Sequence, residues 1–372
     1  MTGSVLFSTI PTASGHVFAR ATLDSPASLN ALSLDMIDGL AAKVDAWLAD
    51  PQVVGVMLDA TGDKAFCAGG DVVALHRSIR GTPHGAVPAH AASFFEREYR
   101  LDHRIHAAPK PVLCWGHGIV MGGGIGLMAG ASHRVVTART KLAMPEITIG
   151  LYPDVGASWF LDRAPGRSGL FLALTGAPLN SSDARLAGLA DFQLRHEDHG
   201  AVLEAIAAQR WSGRRDDDDA RLSHLLQARG HGIEAPISPL RANLDRIDAA
   251  IGHDRLDDLA PRLLALARDD DTWLAAAATA FGKGAPSSAR LAFAMQRRAR
   301  HLSLADVFRL EWQASVGCCM HGDFAEGVRA LLVDKDKTPR WQPGTLAEAD
   351  DALVDTLLAP RFTGAHPLAD LR

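Results

Sequence analysis

The chain has 372 residues, enough for one large domain or for a domain with an extension. Its 38 Lys+Arg against 43 Asp+Glu give a net charge of -5, which excludes the strongly basic footprint of a nucleic-acid-binding protein, and its 47% hydrophobic content is that of an ordinary globular enzyme. No run of about 18 uncharged apolar residues occurs and no basic-then-apolar leader opens the sequence, so neither a membrane span nor a secretory signal is expected. Cys67, Cys114, Cys318 and Cys319 show no C-x-x-C spacing; they are expected to be thiols in a reducing compartment, the cytoplasm.

In chain order, residues 33–48 (SLDMIDGLAAKVDAWL) predict an amphipathic helix that Ser33 or Asp35 can cap. Val53–Ala60 (VVGVMLDA) and residues 111–115 (PVLCW) predict buried strands. Residues 65–73 (AFCAGGDVV) place a Gly-Gly-Asp loop after a strand, and Gly122, Gly123 and Gly124 repeat the pattern between two apolar runs. Strands become scarce from about Asp183, which predicts a mostly helical second half, and residues 214–219 (RRDDDD) predict a solvated loop or linker.

Neither glycine cluster gives G-x-G-x-x-G and no P-loop occurs, so the nucleotide-binding motifs are excluded. The 16 histidines are scattered without metal-ligand spacing, and no metal is expected. Gly70 and Gly123 are expected in loops that follow a strand and lead into a helix, where bare N–H groups can meet an anion. Either cluster alone is more economically read as a tight turn; two together can form a two-donor oxyanion hole. Glu146 and Asp154 lie eight residues apart with Pro145, Gly150 and Pro153 between or beside them, so they are expected on separate loops facing one pocket. Two acids in one pocket are expected to differ in pKa.

The segments Phe66-Cys67-Ala68-Gly69-Gly70-Asp71 and His117-Gly118-Ile119-Val120-Met121-Gly122-Gly123-Gly124 resemble the oxyanion segments of the crotonase (enoyl-CoA hydratase/isomerase) superfamily, and Asn30-Ala31-Leu32 resembles its early segment near coenzyme A. Within it, the chain is similar to the thioester-hydrolysing branch at Phe94-Phe95-Glu96-Arg97-Glu98-Tyr99, Met144-Pro145-Glu146, Gly150-Leu151-Tyr152-Pro153-Asp154-Val155-Gly156 and His321-Gly322-Asp323-Phe324-Ala325-Glu326-Gly327-Val328-Arg329-Ala330. The hydratases carry a catalytic glutamate just after the glycine cluster, where this chain has Ile125-Gly126. The resemblance implies an α/β crotonase (ClpP/crotonase-like) fold of repeated ββα units over residues 1–200 and a helical region over 201–372. It implies hydrolysis of a short 3-hydroxyacyl-CoA, foremost 3-hydroxyisobutyryl-CoA of valine breakdown.

In that reading the Gly70 and Gly123 N–H groups hold the thioester oxygen, Glu146 activates water or attacks the thioester carbon, and Asp154 assists and orients. Glu98 meets the acyl hydroxyl, and Asn30, Ala68 and Asp71 lie along the substrate. Lys335, Lys337 and Arg340 are candidates for the coenzyme A phosphates, with a solvated loop as the equal alternative. No cofactor beyond the coenzyme A of the substrate is implied, no nucleic acid or membrane partner, and homotrimers are common in the superfamily. The competing expectations are an enoyl-CoA hydratase or isomerase and a non-catalytic acyl-CoA-binding protein.

Overall fold

The computed structural model describes residues 3–253 and 255–372. The chain forms two compact units that each collect separate stretches: the first takes the chain up to Gly70, Arg100–Leu142 and Leu179–Ser238, the second Asp71–Tyr99, Ala143–Pro178 and Pro239–Arg372. The cut at residue 200 expected from sequence differs from this one, because composition changes gradually along the chain while the units interleave. The strands are β1 Ser4–Pro11, β2 Val17–Asp24, β3 Val53–Ala60, β4 Ala65–Cys67, β5 Val112–Gly116, β6 Ile119–Met121, β7 His133–Thr137, β8 Lys141–Ala143 and β9 Phe192–Leu194. The helices used below are α1 Leu34–Ala49, α2 Val72–Arg80, α3 Ala89–His106, α4 Gly123–Ala129, α5 Ala157–Phe160, α6 His199–Ala208, α7 Arg215–Gly230 and α8 Leu304–His321.

A six-stranded sheet of order β1-β2-β3-β5-β7-β9 forms the frame of the first unit, antiparallel only between β1 and β2. Its central strand β3 is flanked on both sides, so its sequence is a continuous apolar run rather than an alternation. A smaller sheet has the order β4-β6-β8. The two sheets reveal the repeat: β3-β4, β5-β6 and β7-β8 each send their first strand to the large sheet and their second to the small one. The first two repeats then continue into α2 and α4.

Helix α1 begins where expected: the Ser33 hydroxyl accepts the Met36 N–H at 3.2 Å, and Met36, Ile37, Leu40, Val44, Trp47 and Leu48 form its buried stripe. Val202 and Ile206 of α6 and Leu222, Leu225 and Leu226 of α7 close over Phe18, Met57, Leu113, Trp115 and Val135 from the sheet, forming one apolar core. Among the described residues the last strand ends at Leu194, so the second half is helical as expected.

Residues 214–219 are a correction to the expected loop. Arg215 starts α7, and its acidic first turn faces the positive end of the helix. Asp218 is buried and accepts the N–H groups of Ser212 at 2.8 Å and Gly213 at 2.9 Å and a guanidinium N–H of Arg221 at 3.0 Å. A run that reads as uniform solvated charge thus contains one structural carboxylate. Among the described residues no helix is long and apolar enough to cross a membrane.

Candidate active site

The two glycine loops of the first unit lie side by side because β4 and β6 pair in parallel, Ala65 with Ile119 and Cys67 with Val120. The approach is closest at Gly124, where an added Cβ would sit 2.4 Å from the Cys67 carbonyl oxygen, so only glycine fits. Gly69 adopts φ +108°, and a Cβ there would lie 3.8 Å from the Gly123 nitrogen. Cys67 shapes this turn through its sulfur, which accepts the Gly69 N–H at 3.4 Å. Among the described residues, the Gly70 and Gly123 N–H groups make no hydrogen bond to the protein, whereas the Ala68 N–H donates to the Leu29 carbonyl at 3.0 Å. Gly123 is itself the first residue of α4 rather than a loop residue before it.

The acids belong to the second unit. Glu98 lies on α3, Glu146 opens a single 3-10 turn over Glu146–Ile149, and Asp154 sits in the irregular segment before α5. All three are buried, at 3%, 5% and 4% exposure. Carboxylates are seldom buried without a paired cation, and here they face one another. Burial, then the charge of Asp154, pushes Glu146 well above the usual carboxylate range; burial, then Asp154 and Glu146, does the same to Glu98. Asp154 is raised only to about 6, because the hydrogen bond from Tyr99 partly offsets its burial. Glu98 Oε1 and Glu146 Oε2 are buried without a hydrogen-bond partner among the described residues, the condition of groups that await a substrate or water.

The residues that support these acids were not among those singled out from sequence. Tyr99 and Tyr152 are the only two tyrosines in the chain, and both converge on Ser315 of α8. Tyr99 donates to Asp154 Oδ2 at 2.7 Å and lies 2.7 Å from the Ser315 hydroxyl; Tyr152 donates to the Glu311 carbonyl at 2.8 Å. Each tyrosine sits in a segment already noted for its acid, and that adjacency, Tyr99 beside Glu98 and Tyr152 two residues before Asp154, was the available signal. Replacing Tyr99 by Phe is expected to leave Asp154 Oδ2 short of a buried donor. That would cost about 1–3 kcal/mol of stability and move the Asp154 pKa further up. Urea unfolding combined with a carbon-13 carboxyl titration would check both, and an unchanged Asp154 pKa would contradict the assignment.

Other expected site residues have structural partners. Asn30 is buried in a left-handed conformation, φ +57°; its side-chain NH2 donates to the Thr61 and Ala65 carbonyls, both at 3.0 Å, and its oxygen accepts the Ser25 N–H at 2.7 Å. Its amide is thus committed to shaping its own loop. Asp71 caps α2, accepting the Ala74 N–H at 3.0 Å. Of the basic stretch, Lys335 and Lys337 are exposed, while Arg340 lines a cavity of about 690 Å³ in the second unit with His76, Arg80, His84 and Arg329.

Paired glycine loops on a ββα scaffold and a buried carboxylate set define a class of protein. The family model for enoyl-CoA hydratase/isomerase matches residues 18–358, and the chain belongs to that family. Its fold is that of an enoyl-CoA hydratase structure from Rhodobacter sphaeroides 2.4.1, at TM-score 0.82 and 33% identity over 96% of this chain and 97% of that one. A carnitinyl-CoA dehydratase structure from Mycobacterium thermoresistibile gives 0.84 and 35% over the same shares. The α/β crotonase fold expected from sequence is thereby established. Among characterised proteins, the chain is 35% identical to the mitochondrial 3-hydroxyisobutyryl-CoA hydrolase of Gallus gallus, over 91% of this chain and 86% of that protein. It is 31% identical to that of Homo sapiens, over 89% and 83%.

Proposed function

We propose that this protein hydrolyses a short 3-hydroxyacyl-CoA thioester, 3-hydroxyisobutyryl-CoA foremost, to the free hydroxy acid and coenzyme A, a step of valine breakdown. The observation that carries the reading is the trio of buried carboxylates, two of which keep an oxygen without a partner among the described residues. The similarity to the vertebrate hydrolases over nine-tenths of the chain supports the substrate. The Gly70 and Gly123 N–H groups would receive the thioester oxygen as it gains charge; one such donor is worth about 2.7–4 kcal/mol in a transition state. Glu146, once ionised, activates water or attacks the carbonyl carbon itself, and Asp154 orients that step as the anion held by Tyr99. Glu98 accepts the hydroxyl of the acyl group. Ala68, Asp71 and Asn30 shape the loops along the substrate rather than react with it.

Coenzyme A enters with the substrate, water is the second reactant, and the chemistry as proposed draws on no metal or redox group. We place the reaction in the cytoplasm, a reducing compartment suited to four buried thiols, and take a homotrimer as the assembly to test. A second reading, addition of water to an enoyl-CoA, is favoured by the names of the two closely superposing structures, but this chain has Ile125-Gly126 where the resemblance to hydratases would place a catalytic glutamate. Thiol release from 3-hydroxyisobutyryl-CoA, followed beside hydration of crotonyl-CoA in one preparation, separates the readings. Thiol release without hydration is expected; hydration with the thioester intact would move the protein to the hydratases.

A further inference from the structure

The segment that carries Asp154 is strained. Val155 has φ +53° and Gly156 φ +86°, and a β-branched residue in the left-handed region is costly enough to persist only where its surroundings impose it. Helix α8 supplies the constraint. Glu311, at 0% exposure, accepts the Gly156 N–H on one carboxyl oxygen at 2.7 Å and the Ser158 N–H on the other at 3.0 Å. These are the two N–H groups that flank the start of α5, immediately after the strained turn. One helical turn further, Ser315 presents its hydroxyl on the same face of α8 and meets Tyr99, which holds the Asp154 carboxylate. A single helix face thus secures Asp154 from both directions, through its backbone and through its side chain.

We infer that Glu311 is a positioning residue for the hydrolytic reaction, clamping the Val155–Gly156 turn so that the Asp154 carboxylate stands where the chemistry needs it. This rests on the proposed role of Asp154. Burial of a carboxyl group is expensive: it raises this acid to about 8, against the pull of the two backbone donors. A neutral residue would be the cheaper occupant if packing alone were at stake. The clamp is complete in the ionised form of Glu311, which offers a symmetric pair of acceptors to the two N–H groups. Glutamine fills the same volume but offers one acceptor and one donor, so it must confront one N–H with another.

The test is a double-variant cycle with Glu311→Gln, Asp154→Asn and both together, read as kcat and KM for thiol release, beside Leu259→Ala. Leu259 is a buried side chain of the second unit, and its variant serves as a control for lost stability. Glu311→Gln is expected to lower kcat by about 10- to 100-fold with KM within about threefold, while the control keeps kcat near wild type. In the Asp154→Asn background the Glu311 substitution is expected to have almost no further effect, because residues acting as one unit are not additive. Full additivity, or a kcat for Glu311→Gln equal to that of the control, would overturn the inference. Wild-type kcat in Asp154→Asn would instead sink the role of Asp154 on which it rests. Should Glu311→Gln fail to fold, amide exchange on the unaltered protein decides: Gly156 and Ser158 are expected among the slowly exchanging amides, and rapid exchange at both overturns the clamp.

Discussion

Replacing Glu146 by Gln is expected to lower kcat for coenzyme A release by about 10²- to 10⁴-fold while KM changes far less. The substitution keeps the volume of a side chain that is 5% exposed, so packing is preserved and the proton chemistry is removed. Glu146 is buried, is pushed well above the usual carboxylate range by that burial and by Asp154, and keeps one oxygen without a partner among the described residues. Burial of this kind favours the neutral acid, and the same dry surroundings make its anion a strong base. Quenched-flow measurement of thiol release would check the loss. A variant that retains more than a tenth of the wild-type kcat would remove Glu146 from the reacting centre.

The second large effect concerns Asp154→Asn, which is expected to reduce the plateau kcat by about 10²-fold and to move the pH profile. Asp154 is raised only to about 6, and after burial its charge is the next cause of the raised Glu146 pKa. If Glu146 reacts as an anion, the rate rises with pH as Glu146 loses its proton. Removing the neighbouring charge makes that loss easier, so the rising limb is expected at lower pH in the variant than in the wild type. The direction is the discriminating feature: general damage would lower the plateau without moving the limb, and a shift to higher pH would mean that Asp154 assists ionisation of Glu146 rather than resisting it.

Local physics made much of the scaffold legible. The run VVGVMLDA is apolar, rich in β-branched residues and short, and Val53–Ala60 is a strand over that span. Ser33 stands before an apolar stripe of helical period and caps the helix that follows. The glycine clusters read as turns after a strand with N–H groups open to an anion, and the structure adds that at Gly124 the missing side chain lets one segment approach another. Reading failed at residues 214–219, where Asp218 differs from its neighbours only in what lies opposite it after folding.

The sequence by itself determined the family, the alternation of strand pairs with helices, the two glycine loops and the identity of the acids at Glu98, Glu146 and Asp154. The strand pairs and glycine loops follow from period and spacing within a few tens of residues; the family and the choice of these acids follow from the resemblance of the segments that carry them. Only the tertiary structure decided how those acids behave. Tyr99 and Ser315 are 216 residues apart in the chain and 2.7 Å apart in space, and Glu311 reaches Gly156 across 155 residues. Burial, the distance between like charges and the donors left to each oxygen are properties of that closure. They set the direction in which each carboxyl is shifted, and no local pattern contains them.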